Sequence, residues 1–302
     1  MQPTMKTISS KNHKKMKEQS YVWYLFLLPA LIGIILFMVY PVLESFRLSF
    51  FSSNGVKETF VGISNYTQLI LKEEVFWKAI FNTFYMAIFQ VAIAVPLGFV
   101  IATLINNLPH FKDLFKVLFF IPYITSLVAA SMVFMYLFHP EMGPINYLLE
   151  SIGLPGINWL SDPLSAKWAV IILGIWNWMG FVIVICIANL QTIPAQLYEA
   201  AEIDGANSFQ KFAYITTPKM MPTFSFLLIM GFIRTLQRFG ETYTIGGLEG
   251  SPMRSLYTIV GFIYDRGFNG TEYGLASAAA YILFMIIMVV TLINMKLSKM
   301  NV

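Results

Sequence analysis

The sequence predicts an all-α, polytopic membrane protein with six transmembrane helices. Three observations point there. Hydrophobic residues make up 57% of the 302-residue chain and charged residues only 12%, about half the charged fraction of an average soluble domain. Mean hydropathy is +0.66, which is more apolar surface than a soluble core of this size can hide from water. The charges are also unevenly spaced, leaving five long runs without Asp, Glu, Lys or Arg.

A membrane helix needs roughly 20 apolar residues, at about 1.5 Å of rise each, to cross about 30 Å of hydrocarbon. The runs Tyr21–Leu43, Ala79–Pro109, Val117–Pro140, Trp168–Tyr198 and Tyr273–Met295 meet that length. A sixth, from Met220 to Phe239, is interrupted by Arg234 and Arg238. The predicted spans are 21–43, 79–106, 117–139, 168–190, 220–240 and 274–295, in a transmembrane domain of residues 21–302 behind a tail of residues 1–20. The first run exceeds a signal-peptide core and ends without a small-residue cleavage site, so it reads as a retained span. Six spans put both termini on one side. With the termini in the cytoplasm, the inner segments hold eleven Lys and the outer segments seven Lys or Arg, the direction of the positive-inside bias. Tyr21, Trp23, Tyr24 and Tyr40 flank the first span and Trp77 precedes the second, where interfacial aromatics belong.

Several function classes are disfavoured. The net charge of +4 forms no basic face, so no nucleic-acid partner is implied. The single cysteine, Cys186, excludes a disulfide framework and a thiolate metal cluster, and His13, His110 and His139 show no metal-ligand spacing. There is no HExxH, no G-x-S-x-G and no pair of acids on a span, which argues against a membrane enzyme. A stand-alone secondary transporter would bury acids within its spans as coupling sites, and none of the five charge-free runs has an Asp or Glu in its middle.

The inner loop, 191–219, is the most informative segment. Pro194 is expected to open a short helix on which Leu197, Ala200, Ala201 and Asp204 share one small-sided face. Asp204-Gly205 is a turn signal, with glycine free to take positive φ. Ser208 is expected to cap a second helix. Pro218 and Pro222 lie near the start of the next span, where proline's missing N–H costs least. One reading is an amphipathic connector lying on the bilayer. It explains the helix but not the compact order Glu199-Ala200-Ala201-x-x-Asp204-Gly205-Ala206.

That order, followed by Phe212, Ile215 and Pro218, resembles the EAA motif of the permease subunits of binding-protein-dependent ABC importers. Further likeness to the maltose-type, carbohydrate-uptake branch lies in Phe60-Val61-Gly62-Ile63-Ser64-Asn65-Tyr66, Asn82-Thr83, Gly143-Pro144-Ile145-Asn146, Trp159-Leu160-Ser161-Asp162-Pro163 and Tyr273-Gly274-Leu275-Ala276-Ser277-Ala278. The resemblance implies a maltose-permease-like, type I importer fold in a bacterial inner membrane. It implies that Glu199, Ala200, Ala201, Asp204, Gly205 and Ala206 form a coupling helix docked on an ATPase subunit. The implied partners are a second, similar permease, two nucleotide-binding subunits, an extracytoplasmic solute-binding protein, membrane lipid and a sugar. The chain itself is expected to bind no cofactor. It has no Walker-type G-x-x-x-x-G-K-S/T sequence, so ATP and Mg would be bound by partner subunits.

A substrate pathway is the other expectation. Trp176-Asn177-Trp178-Met179-Gly180 sets an amide beside two indoles inside the fourth span, costly unless it faces protein or water. The stretch resembles the Asn-Trp-x-Gly segment lining the maltose permease's sugar site, which implies Asn177, Trp178, Met179, Gly180 and Ile183 along the pathway. Alternatively, Asn177 hydrogen-bonds another helix and the indoles face lipid. The family also places substrate contacts near Gln237 and Phe239. Arg234 and Arg238 depart from a neutral-sugar site. Either one meets an acidic sugar or phosphate, or both lie near the outer boundary and snorkel or pair with Glu241. The family's Phe-Asp is replaced by Phe239-Gly240-Glu241.

Overall fold

Two long helices form the spine. The computed structural model describes residues 25–300; the expected tail, 1–20, lies outside the described residues. Helix α1 spans Leu25–Leu48, and none of its residues is buried. Its end docks on the last helix through Tyr281, whose Oη donates to the Val42 carbonyl at 2.6 Å and whose ring lies 5.0 Å from that of Phe46. A short antiparallel hairpin follows, β1 (Phe51–Ser53) paired with β2 (Glu58–Phe60), and then helix α2, Ser64–Leu71. Asn65, part of the family-like outer loop, donates to the Ser49 and Phe51 carbonyls, both at 2.9 Å.

Helix α3 runs from Glu74 to Asn106, and α7 from Pro163 to Leu190. Between them come α4 (Lys112–Ile124), α5 (Leu127–Leu137) and α6 (Pro144–Ser151). Helices α3 and α7 pack along each other around Val91, Ala94, Trp178, Val182 and Ile183. Small residues permit the approach: a Cβ on Gly174 would meet Gln90 Oε1 at 2.0 Å, and one on Gly180 the Phe119 carbonyl oxygen of α4 at 2.1 Å. The start of α7 is fixed by Asp162, whose carboxylate accepts from the Leu164 and Ser165 amides at 3.0 Å, with Pro163 in the first turn. Those bonds, led by the one from Ser165, hold the Asp162 carboxyl below its ordinary value.

Residues 191–219, the expected inner loop, fold as α8 (Ala195–Ile203) and α9 (Ser208–Lys219). Helix α10 (Met221–Leu236) then returns along α3. Helices α11 (Gly240–Gly246) and α12 (Ile259–Tyr264) precede the final helix α13, Tyr273–Met300.

Among the described residues, four helices are long and apolar enough to cross a membrane, and six spans result when each of two bent pairs counts as one. The expected third span, 117–139, is therefore not one helix. It is α4 and α5, bent by 96°. Pro122 lies inside α4, and Thr125 takes an extended conformation (φ −73°, ψ 142°). Ser126 then caps α5. Proline removes one backbone donor, and the hydroxyl supplies a new helix start. The expected fifth span, 220–240, ends as helix at Leu236, and α9 meets α10 at 61°. Helices α3, α7 and α13 begin before their expected starts, and α1 runs past its expected end to Leu48. Glu74, Lys78 and Lys167 lie on helix, because a helix continues past the hydrocarbon while a run without charges does not.

Within the segment 240–272, the stretch 254–259 is held by Asn82 and Thr83 of α3. Asn82 Nδ2 donates to the Arg254 and Tyr257 carbonyls at 2.8 and 3.0 Å, and the Ile259 amide donates to Thr83 Oγ1 at 3.0 Å. Both side chains are about 1% exposed. Asn82→Leu strands two carbonyls, at about 1–3 kcal/mol for each unsatisfied group. We expect a lower midpoint of thermal unfolding in detergent and faster proteolysis between residues 247 and 258.

Candidate functional site

Two regions concentrate polar chemistry. The first is the α8–α9 turn. Asp204 ends α8, Gly205 takes φ +78°, the Ala206 amide donates to the Ala201 carbonyl at 2.8 Å and the Gly205 amide to the Glu202 carbonyl at 3.0 Å. This is a Schellman closure, and it accounts for the Ala-x-x-Asp-Gly-Ala order: a left-handed glycine flanked by two small residues that close on each other. The cap of α9 is Asn207 rather than the expected Ser208. Asn207 Oδ1 accepts from the Gln210 amide at 2.9 Å, while Gln210 Oε1 accepts from the Asn207 amide at 2.8 Å, a reciprocal capping box. Lys211 Nζ lies 2.6 Å from Glu202 and holds that carboxyl below its ordinary range. Tyr198 and Thr216 hydroxyls meet at 2.9 Å. The turn is thus braced from both sides.

Its outer surface is left open. Glu199, Ala200, Asp204 and Gly205 are exposed, with Ala201 and Ala206 half-buried. Ile203, Phe209 and Tyr214 are 87%, 76% and 79% exposed. A groove of about 300 Å³ lies between the two helices, lined by Ala201, Asp204, Gly205, Ala206, Lys211 and Tyr214 among others.

The second region joins the two helix breaks. Backbone at a break has carbonyls that no helical neighbour bonds, and at membrane depth each must find a partner. Asn177 Nδ2 donates to the Pro122 carbonyl at 2.6 Å, just before the α4–α5 break. Thr258 Oγ1 donates to the Arg238 carbonyl at 3.0 Å, just past α10. The Arg238 guanidinium donates to Gln90 Oε1, lies 3.1 Å from Glu241, and is 4% exposed, with Glu241 at 6%. Arg234 donates to Asn177 Oδ1, and its guanidinium carbon lies over Tyr123, 5.4 Å from the ring centre. Gln90, Leu127, Gly174, Asn177, Arg234, Thr235, Arg238 and Glu241 enclose one narrow cavity of about 10 Å³, the lower limit for a single water.

Placement of the expected substrate residues follows. Asn177 is 1% exposed and bonds two other elements. Trp178 and Ile183 lie in the α3–α7 core, and Met179 packs beside it. Gly180 is the close-approach point for α4. Of the two indoles, Trp178 is buried and Trp176 is exposed. Gln237 is exposed at the break. Phe239 stacks on Tyr243 and Tyr264 at 5.2 and 5.0 Å, and Tyr264 on the exposed Phe268 at 5.0 Å. Of the two expectations for the arginines, the pairing with Glu241 is found for Arg238, at 3.1 Å and with both residues buried, while Arg234 is half-buried over Tyr123 instead. Sequence reasoning missed Gln90 and Tyr123. Gln90 was findable, as a lone amide amid the apolar middle of α3; nothing in the sequence pairs Tyr123 with Arg234.

Comparison with known proteins bears on the family and the fold. Residues 94–298 match the family described as binding-protein-dependent transport system inner membrane component. The arabinooligosaccharides transport system permease protein AraP of Bacillus subtilis is 34% identical over 277 residues, 91% of this chain and 88% of the relative. The lactose transport system permease protein LacF of Rhizobium radiobacter is 35% identical over 275 residues, 90% and 92% respectively. A chain from the crystal structure of a bacterial alginate ABC transporter, in complex with alginate pentasaccharide-bound periplasmic protein, shares the fold with TM-score 0.79. It is 24% identical, over 93% of this chain and 94% of that one. The protein belongs to the family of inner-membrane components of binding-protein-dependent ABC transport systems.

Glu241→Gln leaves the Arg238 guanidinium buried without its counter-charge. Breaking such a pair costs about 3–5 kcal/mol. The variant should unfold at a clearly lower temperature in detergent, and adding Arg238→Met should recover most of the loss.

Proposed function

We propose that this chain is the membrane-spanning permease subunit of an ATP-driven importer for a sugar or oligosaccharide delivered by an extracytoplasmic binding protein. The observation that carries the reading is the braced, outwardly bare α8–α9 turn. Exposed Ile203, Phe209 and Tyr214 around a groove form a surface of the kind another protein covers. Glu199, Ala200, Ala201, Asp204, Gly205 and Ala206 are the coupling segment, docked on one of two ATP-hydrolysing subunits. A second, similar permease completes the pathway. Both termini are cytoplasmic, which puts the turn on the side where ATP is available.

Closure of the ATPase pair moves the turn, and the rigid Schellman and capping-box bonds pass that motion into α10 and the breaks. This chain hydrolyses nothing; ATP and Mg stay with the partner subunits. Support for a sugar comes from the relatives named above, which transport arabino-oligosaccharides and lactose. The stacked series Phe239, Tyr264 and Phe268 adds to it, since flat aromatic faces suit the C–H faces of a sugar ring. Gln237 lies beside that series as a hydrogen-bonding contact.

The test is a pull-down of the tagged chain from solubilised membranes, with and without Glu199→Lys plus Gly205→Pro. Proline cannot adopt the φ of +78° found at Gly205. The native chain should bring down an ATPase and a second permease, and the double variant should lose the ATPase alone. A chain that purifies by itself and moves solute in liposomes without ATP would overturn the reading in favour of a secondary transporter.

A further inference from the structure

We propose that the sugar taken by this permease is anionic, bearing a carboxylate, sulfonate or phosphate, and that Arg234 selects the charge. The inference rests on the sugar-importer reading above. It starts from charge balance. The cluster at the two breaks holds two guanidinium groups, Arg234 and Arg238, and one carboxylate, Glu241. Glu241 is committed to Arg238 at 3.1 Å. Arg234 forms no ion pair among the described residues, so the cluster carries one uncompensated positive charge. A permanent charge within a span is costly and usually faces a partner or an aqueous path.

The geometry shows where its partner comes from. An arginine side chain has five N–H donors, and among the described residues Arg234 commits one, to Asn177 Oδ1. Arg234 as a whole is half-buried, and its guanidinium carbon lies over the Tyr123 ring, 5.4 Å from the centre. Its other donors are uncommitted among the described residues, enough for a bidentate oxyanion. Open polar groups lie at both breaks: Thr125 and Ser126 at one, between the exposed Ile124 and Val128, and Gln237 at the other. Irregular backbone at membrane depth is tolerated where it lines a water-filled path. The enclosed cavity behind Arg234, about 10 Å³, is too small for a sugar. The sugar therefore stays on the open side, and only its anionic group meets the guanidinium.

The experiment uses the assembled transporter with its binding protein in proteoliposomes. ATP-dependent uptake is measured for di- to tetrasaccharides of uronic acids and for their methyl esters, which keep the shape and remove the charge. The native complex should favour the acids, and Arg234→Gln should cut acid uptake roughly tenfold or more, the size of a lost charge-assisted bond. Arg234→Lys should retain the preference, because the charge remains. Equal co-purification of partners and equal basal ATP hydrolysis in the variants show that assembly is intact. Esters taken as well as acids by the native complex would overturn the proposal; that is the outcome if a second chain supplies a carboxylate to Arg234. Persistence of the acid preference in Arg234→Gln would overturn it too. Uptake of a neutral oligosaccharide with neither acids nor esters taken would overturn this inference and leave the sugar reading standing, whereas ATP hydrolysis with no uptake of any of these sugars would count against the sugar reading itself.

Discussion

A carbonyl without a partner in hydrocarbon is the constraint around which this protein is arranged. Six unbroken helices would satisfy every backbone group internally, but they would leave the membrane interior without polar features. Two of the spans here stop partway, at Thr125–Ser126 and at Gln237–Phe239, and each stop frees backbone groups. At the first, Asn177 bonds the Pro122 carbonyl, where the Thr125 amide also donates but at a long 3.3 Å, and at the second Thr258 bonds the Arg238 carbonyl. The polar side chains that seal the breaks then need partners of their own. That need draws Gln90, Arg238 and Glu241 into one network.

Packing serves the same end. Gly174 lets Gln90 lie against α7, Gly180 lets α4 reach α7, and Gly231 leaves room for the Trp178 indole. Without those approaches the amide of Asn177 could not span from α7 to the α4 break and to Arg234 of α10. Three helices meet at one residue. The same α10 begins at the bend after α9, so the inner turn and the polar cluster are connected through a single helix. A displacement of the turn has a short mechanical route to both breaks.

Much of this was legible in the sequence, unevenly. Runs without charges located the spans because burying a charge in lipid is expensive. The Ala-x-x-Asp-Gly-Ala order disclosed the turn because only glycine takes the left-handed conformation easily. The third span was misread as straight because hydropathy is blind to backbone direction, although Pro122 and Ser126 were visible as a breaker and a cap. Asn207 was passed over for Ser208 because the capping box also depends on Gln210. The pairing of Arg234 with Tyr123 and Asn177 lay beyond reach. It depends on which faces of α4, α7 and α10 meet, and periodicity in one helix does not specify its neighbours.

Hydrogen–deuterium exchange on the assembled transporter, with and without a non-hydrolysable ATP analogue, tests the central claim that turn and breaks act as one unit. Assembly should slow exchange over residues 195–211, and nucleotide should then change exchange at residues 122–127 and 236–240 as well. Protection of the turn with no nucleotide response at either break would contradict the account, by showing that motion at the inner face does not reach the polar cluster.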